Sequence, residues 1–115
     1  MKSYIIEGGK RLSGIINISG SKNSSLPILA ATILGEGNMK LYNIPSISDV
    51  DNTIEIIKGL GGNVKRNNGK IEVNCKNINK TEIPVELMSK MRSSVIIAGA
   101  LIGRFKNVKF SYPGG

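Results

Sequence analysis

The chain has 115 residues, of which 40% are hydrophobic and 4% aromatic, so a single domain with an aliphatic core can form. Sixteen Lys and Arg against eight Asp and Glu give a net charge of +8, which favours anionic partners. Nucleic acid and a small phosphorylated molecule both satisfy this charge. The basic residues are scattered and no aromatic stacking set accompanies them, which disfavours nucleic acid.

Several chemistries are excluded by residue type alone. The chain has no His and one Cys, which excludes a His-based acid–base pair, an internal disulfide framework and a multi-Cys zinc site within these residues. The N-terminus lacks the apolar run of a signal peptide, and the most apolar stretch, residues 95–102, is too short to cross a membrane. These features predict a cytoplasmic protein without a membrane segment.

The first half of the chain predicts alternating strands and helices. Residues 4–18 have the pattern of two short strands, and residues 26–34 form an apolar, buried helix capped by Ser24 or Ser25. A strand over residues 39–44 follows. A second helix, capped by Ser46 or Ser48, has apolar residues at helical spacing up to Leu60.

The second half predicts a hairpin, a long helix and a last strand. Residues 63–66 and 70–74 flank Asn67-Asn68-Gly69, whose Asn-Gly pair tolerates the positive φ of a tight turn. One helix is predicted over residues 85–102, and a strand over residues 108–112. The βαβαββ order, followed by a helix and a strand, indicates a mixed α/β or α+β fold.

Lys22 is the candidate with the strongest physical argument. It lies with Asn23 just before the predicted N-terminus of a buried helix, where unpaired N–H groups and the helix dipole already attract an anion. A cation is unfavourable there unless an anion accompanies it, so an anion clamp is one interpretation. A solvated lysine in a loop with serine caps behind it is the other.

Arg92, Cys75 and the acidic residues of the second helix are weaker candidates. Arg92 lies within the long predicted helix and is either a phosphate ligand or an exposed helical arginine. Cys75 has no His or second Cys to activate it and is interpreted as a passive thiol. Asp49, Asp51 and Glu55 could form paired carboxylates, but they are interpreted as first-turn charges that complement the helix dipole.

Together these motifs resemble the UDP-N-acetylglucosamine 1-carboxyvinyltransferases, a family of enolpyruvyl transferases. The order and spacing of the motifs match that family along the whole chain. The matching segments are residues 12–14, 18–31, 43–45, 49–50, 60–62, 91–94, 103–105 and 113–115. The sister enzyme that makes enolpyruvylshikimate phosphate has an Arg a few residues after its Lys. Here Leu26-Pro27-Ile28 stands at that place, which favours the amino-sugar enzyme.

The resemblance implies a reaction and a set of site residues. The family transfers the enolpyruvyl group of phosphoenolpyruvate to the 3′-hydroxyl of UDP-N-acetylglucosamine, the first committed step of peptidoglycan biosynthesis, without metal or organic cofactor. Lys22 and Asn23 match residues that bind phosphoenolpyruvate, and Arg92 matches an arginine that binds the UDP-sugar. A role in cell-wall biogenesis, and with it in cell shape and division, follows from that activity.

The resemblance also implies a fold and a division of the chain. The family fold is an inverse α/β barrel of βαβαββ repeats, here incomplete. Residues 1–21 are expected to belong to the distal domain and residues 22–115 to the first part of the catalytic domain. The general acid, a Cys or Asp, is expected beyond Gly115. The 115-residue chain alone is therefore expected to be inactive.

Overall fold

The computed structural model describes residues 2–91 and 94–110. Helices cover one side of a small sheet, which confirms the prediction of a mixed α/β fold. The elements in chain order are α1 (Lys22–Ala31), a 3₁₀ turn (Thr32–Leu34), β1 (Asn38–Leu41), α2 (Ser48–Leu60), β2 (Asn63–Asn67), β3 (Lys70–Asn74), α3 (Val85–Met88) and α4 (Val95–Phe105).

The three strands form one antiparallel sheet in the order β1-β3-β2. The predicted hairpin is confirmed, because Asn68 and Gly69 both have positive φ, 47° and 80°, as a two-residue turn requires. Side chains alternate across the pleat, so Ile71 and Val73 are buried against the helices, whereas the opposite face is polar. The sheet therefore supports the helix layer from one side only.

Helix α2 follows the predicted spacing, and its apolar face is fully buried. Its N-cap is Ile47, which supplies no side-chain hydrogen bond, so the prediction of a cap at Ser46 or Ser48 is wrong. Gly61 ends the helix in the left-handed conformation with φ of 112°, which confirms the predicted stop. Helix α1 packs on α2, and the first turns of the two helices contact each other through Lys22 and Asp49.

Helix α1 starts earlier than the apolar pattern predicts. Its N-cap is Ser21, not Ser24 or Ser25, and the Ser21 Oγ accepts from the Ser24 N–H at 3.4 Å. The helix is also not buried all round, since Ile28 is 45% exposed. The polar residues 22–25 thus belong to the helix itself, because a serine hydroxyl at position 21 satisfies its first N–H groups.

The single long helix predicted over residues 85–102 is wrong. Helix α3 ends at Met88, and helix α4 begins at Val95. Serine hydroxyls turn back onto the chain on both sides of the interruption: Ser89 Oγ donates to the Glu86 carbonyl at 2.9 Å and Ser94 Oγ to that of Met91 at 2.6 Å. Such bonds compete with the helical pattern and favour a break.

Residues 2–20 form no strand, so the prediction of two strands over residues 4–18 is wrong for this structure. A strand needs a neighbour to accept its hydrogen bonds, and none of the described residues provides one. Apolar side chains of this arm are almost fully exposed, for example Ile5 at 91% and Ile15 at 93%.

The end of this arm, residues 18–20, contacts the loop that contains Asn43. The Asn43 amide donates to the Ile18 carbonyl at 3.3 Å, and Asn43 has a left-handed φ of 59°. Gly20 lies so close to this loop that an added Cβ would overlap the Asn43 carbonyl oxygen and meet Pro45 Cδ at 2.9 Å. A glycine is therefore required where the arm meets α1.

The end of the described chain is held by one bridge and one arginine. The predicted strand over residues 108–112 is reduced to a parallel bridge between Lys109 and Glu82, and residues 111–112 lie outside the described residues. The Arg104 guanidinium donates to three backbone carbonyls, those of Ile33 at 3.0 Å, Cys75 at 2.6 Å and Lys76 at 3.2 Å. It joins α4 to the end of the 3₁₀ turn and to the segment after β3.

In the described ranges, no helix has both the length and the apolar content to cross a membrane.

Candidate functional site

The first turn of α1 carries two of the predicted site residues, Lys22 and Asn23. Both are exposed, and the cap at Ser21 leaves part of the helix N-terminus facing solvent. The first turn contains no acidic residue, so the helix supplies no charge of its own to balance Lys22. This position is electropositive, because the helix dipole and the ammonium add.

Asp49 of α2 supplies the missing negative charge. Lys22 Nζ and Asp49 Oδ2 are 2.7 Å apart, and the two side chains are 55% and 23% exposed. Asp49 lies in the first turn of α2, where its charge also complements that helix dipole. Exposed ion pairs contribute about 0–1 kcal/mol to stability, so this pair matters more for charge and orientation than for the fold.

An open cleft of about 490 Å³ lies beside this ion pair. Its walls come from α1, α2, the turn after α3 and the start of α4. The lining residues are Lys22, Asn23, Leu26, Asp49, Lys90, Met91, Val95 and Ile96. Two cations face one carboxylate there, so the described lining keeps a net positive charge and suits an anion. The apolar residues of α4 form the other wall.

Lys22 and Asn23, which are adjacent in the sequence, both line the cleft, whereas Arg92 falls outside the described residues. Arg92 directly follows Met91, which lines the cleft. Asp49 was interpreted from the sequence as a helix-dipole charge only. No pattern in the sequence links residues 22 and 49, since their contact arises from the packing of α1 on α2.

Cys75 is buried at 1% exposure and is not among the cleft residues. Burial raises the pKa of its thiol, and this outweighs the Thr32 hydroxyl at 3.8 Å and the Arg104 charge, which both lower it. A buried, protonated thiol is a poor nucleophile. Over the described ranges, His, Cys, Asp and Glu side chains form no group of three that could hold a metal ion.

A solved structure extends these observations to a fold class. The chain is similar to the crystal structure of the enolpyruvyl transferase NikO from Streptomyces tendae, with a TM-score of 0.72 and 26% sequence identity. The match covers 85% of this chain and 23% of NikO. The chain therefore has part of the enolpyruvyl transferase fold, as the sequence predicts.

Sequence comparison agrees with the fold. The family pattern of EPSP synthase (3-phosphoshikimate 1-carboxyvinyltransferase) matches residues 6–115, and the chain belongs to this family. A UDP-N-acetylglucosamine 1-carboxyvinyltransferase 2 from Caldanaerobacter subterraneus subsp. tengcongensis is 47% identical over 115 residues. A UDP-N-acetylglucosamine 1-carboxyvinyltransferase from Chlorobaculum parvum is 41% identical over 116 residues. All of this chain is covered in both, but only 28% and 27% of the relatives.

Proposed function

We propose that the protein carrying this chain transfers the enolpyruvyl group of phosphoenolpyruvate to the 3′-hydroxyl of UDP-N-acetylglucosamine and releases phosphate. The observation that carries the proposal is the placement of Lys22 and Asn23 in the first turn of α1, beside a net positive cleft. The curated relatives that match the whole chain are named for transfer to UDP-N-acetylglucosamine. Because the chain spans about 28% of their length, the activity belongs to a longer assembly of residues than these 115.

The chemistry follows addition and elimination. The oxygen of the 3′-hydroxyl bonds to C2 of phosphoenolpyruvate and gives up its proton, while a proton adds to C3. The bond between C2 and the phosphate oxygen then breaks, phosphate leaves, and loss of a proton from C3 restores the double bond. The substrate carries a carboxylate and a phosphate, so the Lys22 ammonium can offset its charge and stabilise charge that develops at the reacting centre. Asn23 provides an amide donor beside it. No electrons are transferred, so the reaction requires no redox cofactor.

We assign Arg92 to the UDP-sugar and the general acid, a Cys or Asp, to residues outside 1–115. Residues 1–21 would belong to the distal domain and residues 22–115 to the first part of the catalytic domain. The exposed apolar arm supports this division, because its side chains lack a partner in the described structure. The reaction would take place in the cytoplasm and begin peptidoglycan synthesis, with effects on cell-wall biogenesis, cell shape and cell division.

The test uses the full polypeptide encoded by the reading frame that contains these residues, here called the full encoded chain. Phosphate release is measured with phosphoenolpyruvate and UDP-N-acetylglucosamine. We expect Lys22→Ala to lower kcat/KM by about 10²–10³-fold, the usual cost of removing a charge-stabilising group. Lys65→Ala, which removes an exposed lysine of β2 outside the cleft, is the matched control and stays within about twofold of wild type.

Two further measurements separate the alternatives. Release of phosphate with 3-phosphoshikimate but not with the UDP-sugar would assign the protein to the sister activity. Turnover by the 115-residue chain alone would contradict the assignment of the general acid to residues outside it. Equal activity of wild type and Lys22→Ala would show that Lys22 does not take part in the reaction.

A further inference from the structure

The first turn of α1 carries a positive charge that no acidic residue of the same turn compensates. Lys22 adds a full positive charge to the positive end of the helix dipole, and the first turn of α1 contains no acid. The compensating carboxylate is Asp49, which comes from a different helix and lies 2.7 Å from Lys22 Nζ. The contact therefore depends on the packing of α1 against α2.

Asp49 is the more firmly held partner of the pair. It lies in the first turn of α2, whose residues Val50 and Ile54 are buried, and its backbone carbonyl accepts from the Thr53 hydroxyl at 2.8 Å. Its side chain is 23% exposed, whereas that of Lys22 is 55% exposed. A long lysine side chain has several rotatable bonds, so the fixed carboxylate determines where the ammonium lies.

We propose that Asp49 is a positioning residue for Lys22 in the enolpyruvyl transfer, an inference that rests on the proposed function. A lysine ammonium has three donors. Asp49 takes one of them and leaves the other two for an anionic substrate in the cleft. Asp49 thereby fixes the direction of the remaining donors, and its negative charge also reduces the attraction between the cleft and a free anion.

This arrangement predicts opposite effects of one substitution on binding and on turnover. Asp49→Asn removes a like charge close to the phosphoenolpyruvate site, so the substrate binds more tightly. It also releases Lys22 from its fixed position, and a misplaced catalytic group costs up to about 10²-fold in rate. A substitution that only loosened the fold would weaken binding and turnover together.

The experiment is steady-state kinetics of the full encoded chain with phosphoenolpyruvate as the varied substrate. We expect Asp49→Asn to lower the KM for phosphoenolpyruvate by about threefold or more and kcat by about tenfold or more. Asp49→Glu keeps the negative charge. Its kcat should lie between those of Asp49→Asn and wild type, and its KM for phosphoenolpyruvate should be closer to the wild-type value than that of Asp49→Asn. Asp51→Asn is the matched control, since Asp51 lies in the same turn but pairs with Arg66 and is 56% exposed. Its kcat and KM should stay within about twofold of wild type.

Each other outcome decides against the proposal. A wild-type kcat for Asp49→Asn, together with the expected loss of kcat/KM in Lys22→Ala, overturns the role of Asp49 and leaves the proposed function intact. A raised KM with a lowered kcat, or loss of the helical circular dichroism signal while Asp51→Asn remains folded, assigns Asp49 to stability only. Wild-type turnover by Lys22→Ala instead refutes the site on which the inference rests.

Discussion

Arg104 is the side chain whose removal should reveal how the described part of the fold is held together. Its guanidinium donates to the carbonyls of Ile33, Cys75 and Lys76, which belong to two segments that are far apart in sequence. We predict that Arg104→Ala destabilises the chain by about 3 kcal/mol. Two of the three bonds are partly buried, and hydrogen bonds to a charged group contribute about 1.5 kcal/mol each, whereas the exposed bond is given no weight.

The assay is urea unfolding of the 115-residue chain, followed by its helical circular dichroism signal. Natural domains have a free energy of unfolding of only about 5–15 kcal/mol, so a loss of about 3 kcal/mol should clearly lower the urea concentration at the midpoint of unfolding. Arg104→Lys keeps the charge but has one donor nitrogen in place of the two guanidinium nitrogens that reach the separate carbonyls, so most of the loss should remain.

Arg66→Ala is the matched control for Arg104. Arg66 binds Asp51 at the surface, and an exposed pair of this kind contributes about 1 kcal/mol or less. If Arg104→Ala costs no more than Arg66→Ala, the argument from the three carbonyls is refuted.

Two further predictions concern the junction before α1 and the buried thiol. Gly20→Ala should cost about 1–3 kcal/mol in the same urea assay, because its Cβ would overlap the Asn43 carbonyl, whereas Gly37→Ala, with no atom within 4 Å of the added Cβ, should change little. A similar urea midpoint for Gly20→Ala and Gly37→Ala would contradict the close approach of Gly20 to the Asn43 carbonyl. Cys75 should react with a thiol reagent only at the rate of unfolding, since it is buried. Its folded pKa is raised above the usual 9.0, so the native state holds its proton longer and stability should fall as pH rises above 9.0. If wild type and Cys75→Ala lose stability equally as pH rises above 9.0, burial does not raise the pKa of the Cys75 thiol.

Local signals in the sequence account for the elements that were predicted correctly. The Asn68-Gly69 turn needs positive φ at both residues, and its neighbours alternate, so the hairpin follows from nearest neighbours alone. Helix α2 is equally local, with apolar residues at helical spacing and Gly61 as its stop. The family resemblance was likewise available from motifs, because it depends on residue order rather than on contacts.

The two wrong predictions of regular elements have different physical reasons. The alternating pattern of residues 4–18 specifies strands only if a sheet accepts their hydrogen bonds, and the described residues offer none. The spacing over residues 85–102 is helical, but the serine hydroxyls of Ser89 and Ser94 bond to backbone carbonyls and the helix is interrupted.

The same division applies to the site. The sequence by itself determined that Lys22 and Asn23 accompany a helix N-terminus, because capping and the helix dipole act within a few residues. Only the tertiary structure decided that Asp49, 27 positions later in the chain, is the counter-charge of Lys22, and that Arg104 binds carbonyls from two distant segments. Charges and donors act over a few ångströms in space, so packing, rather than spacing along the chain, selects which of them meet.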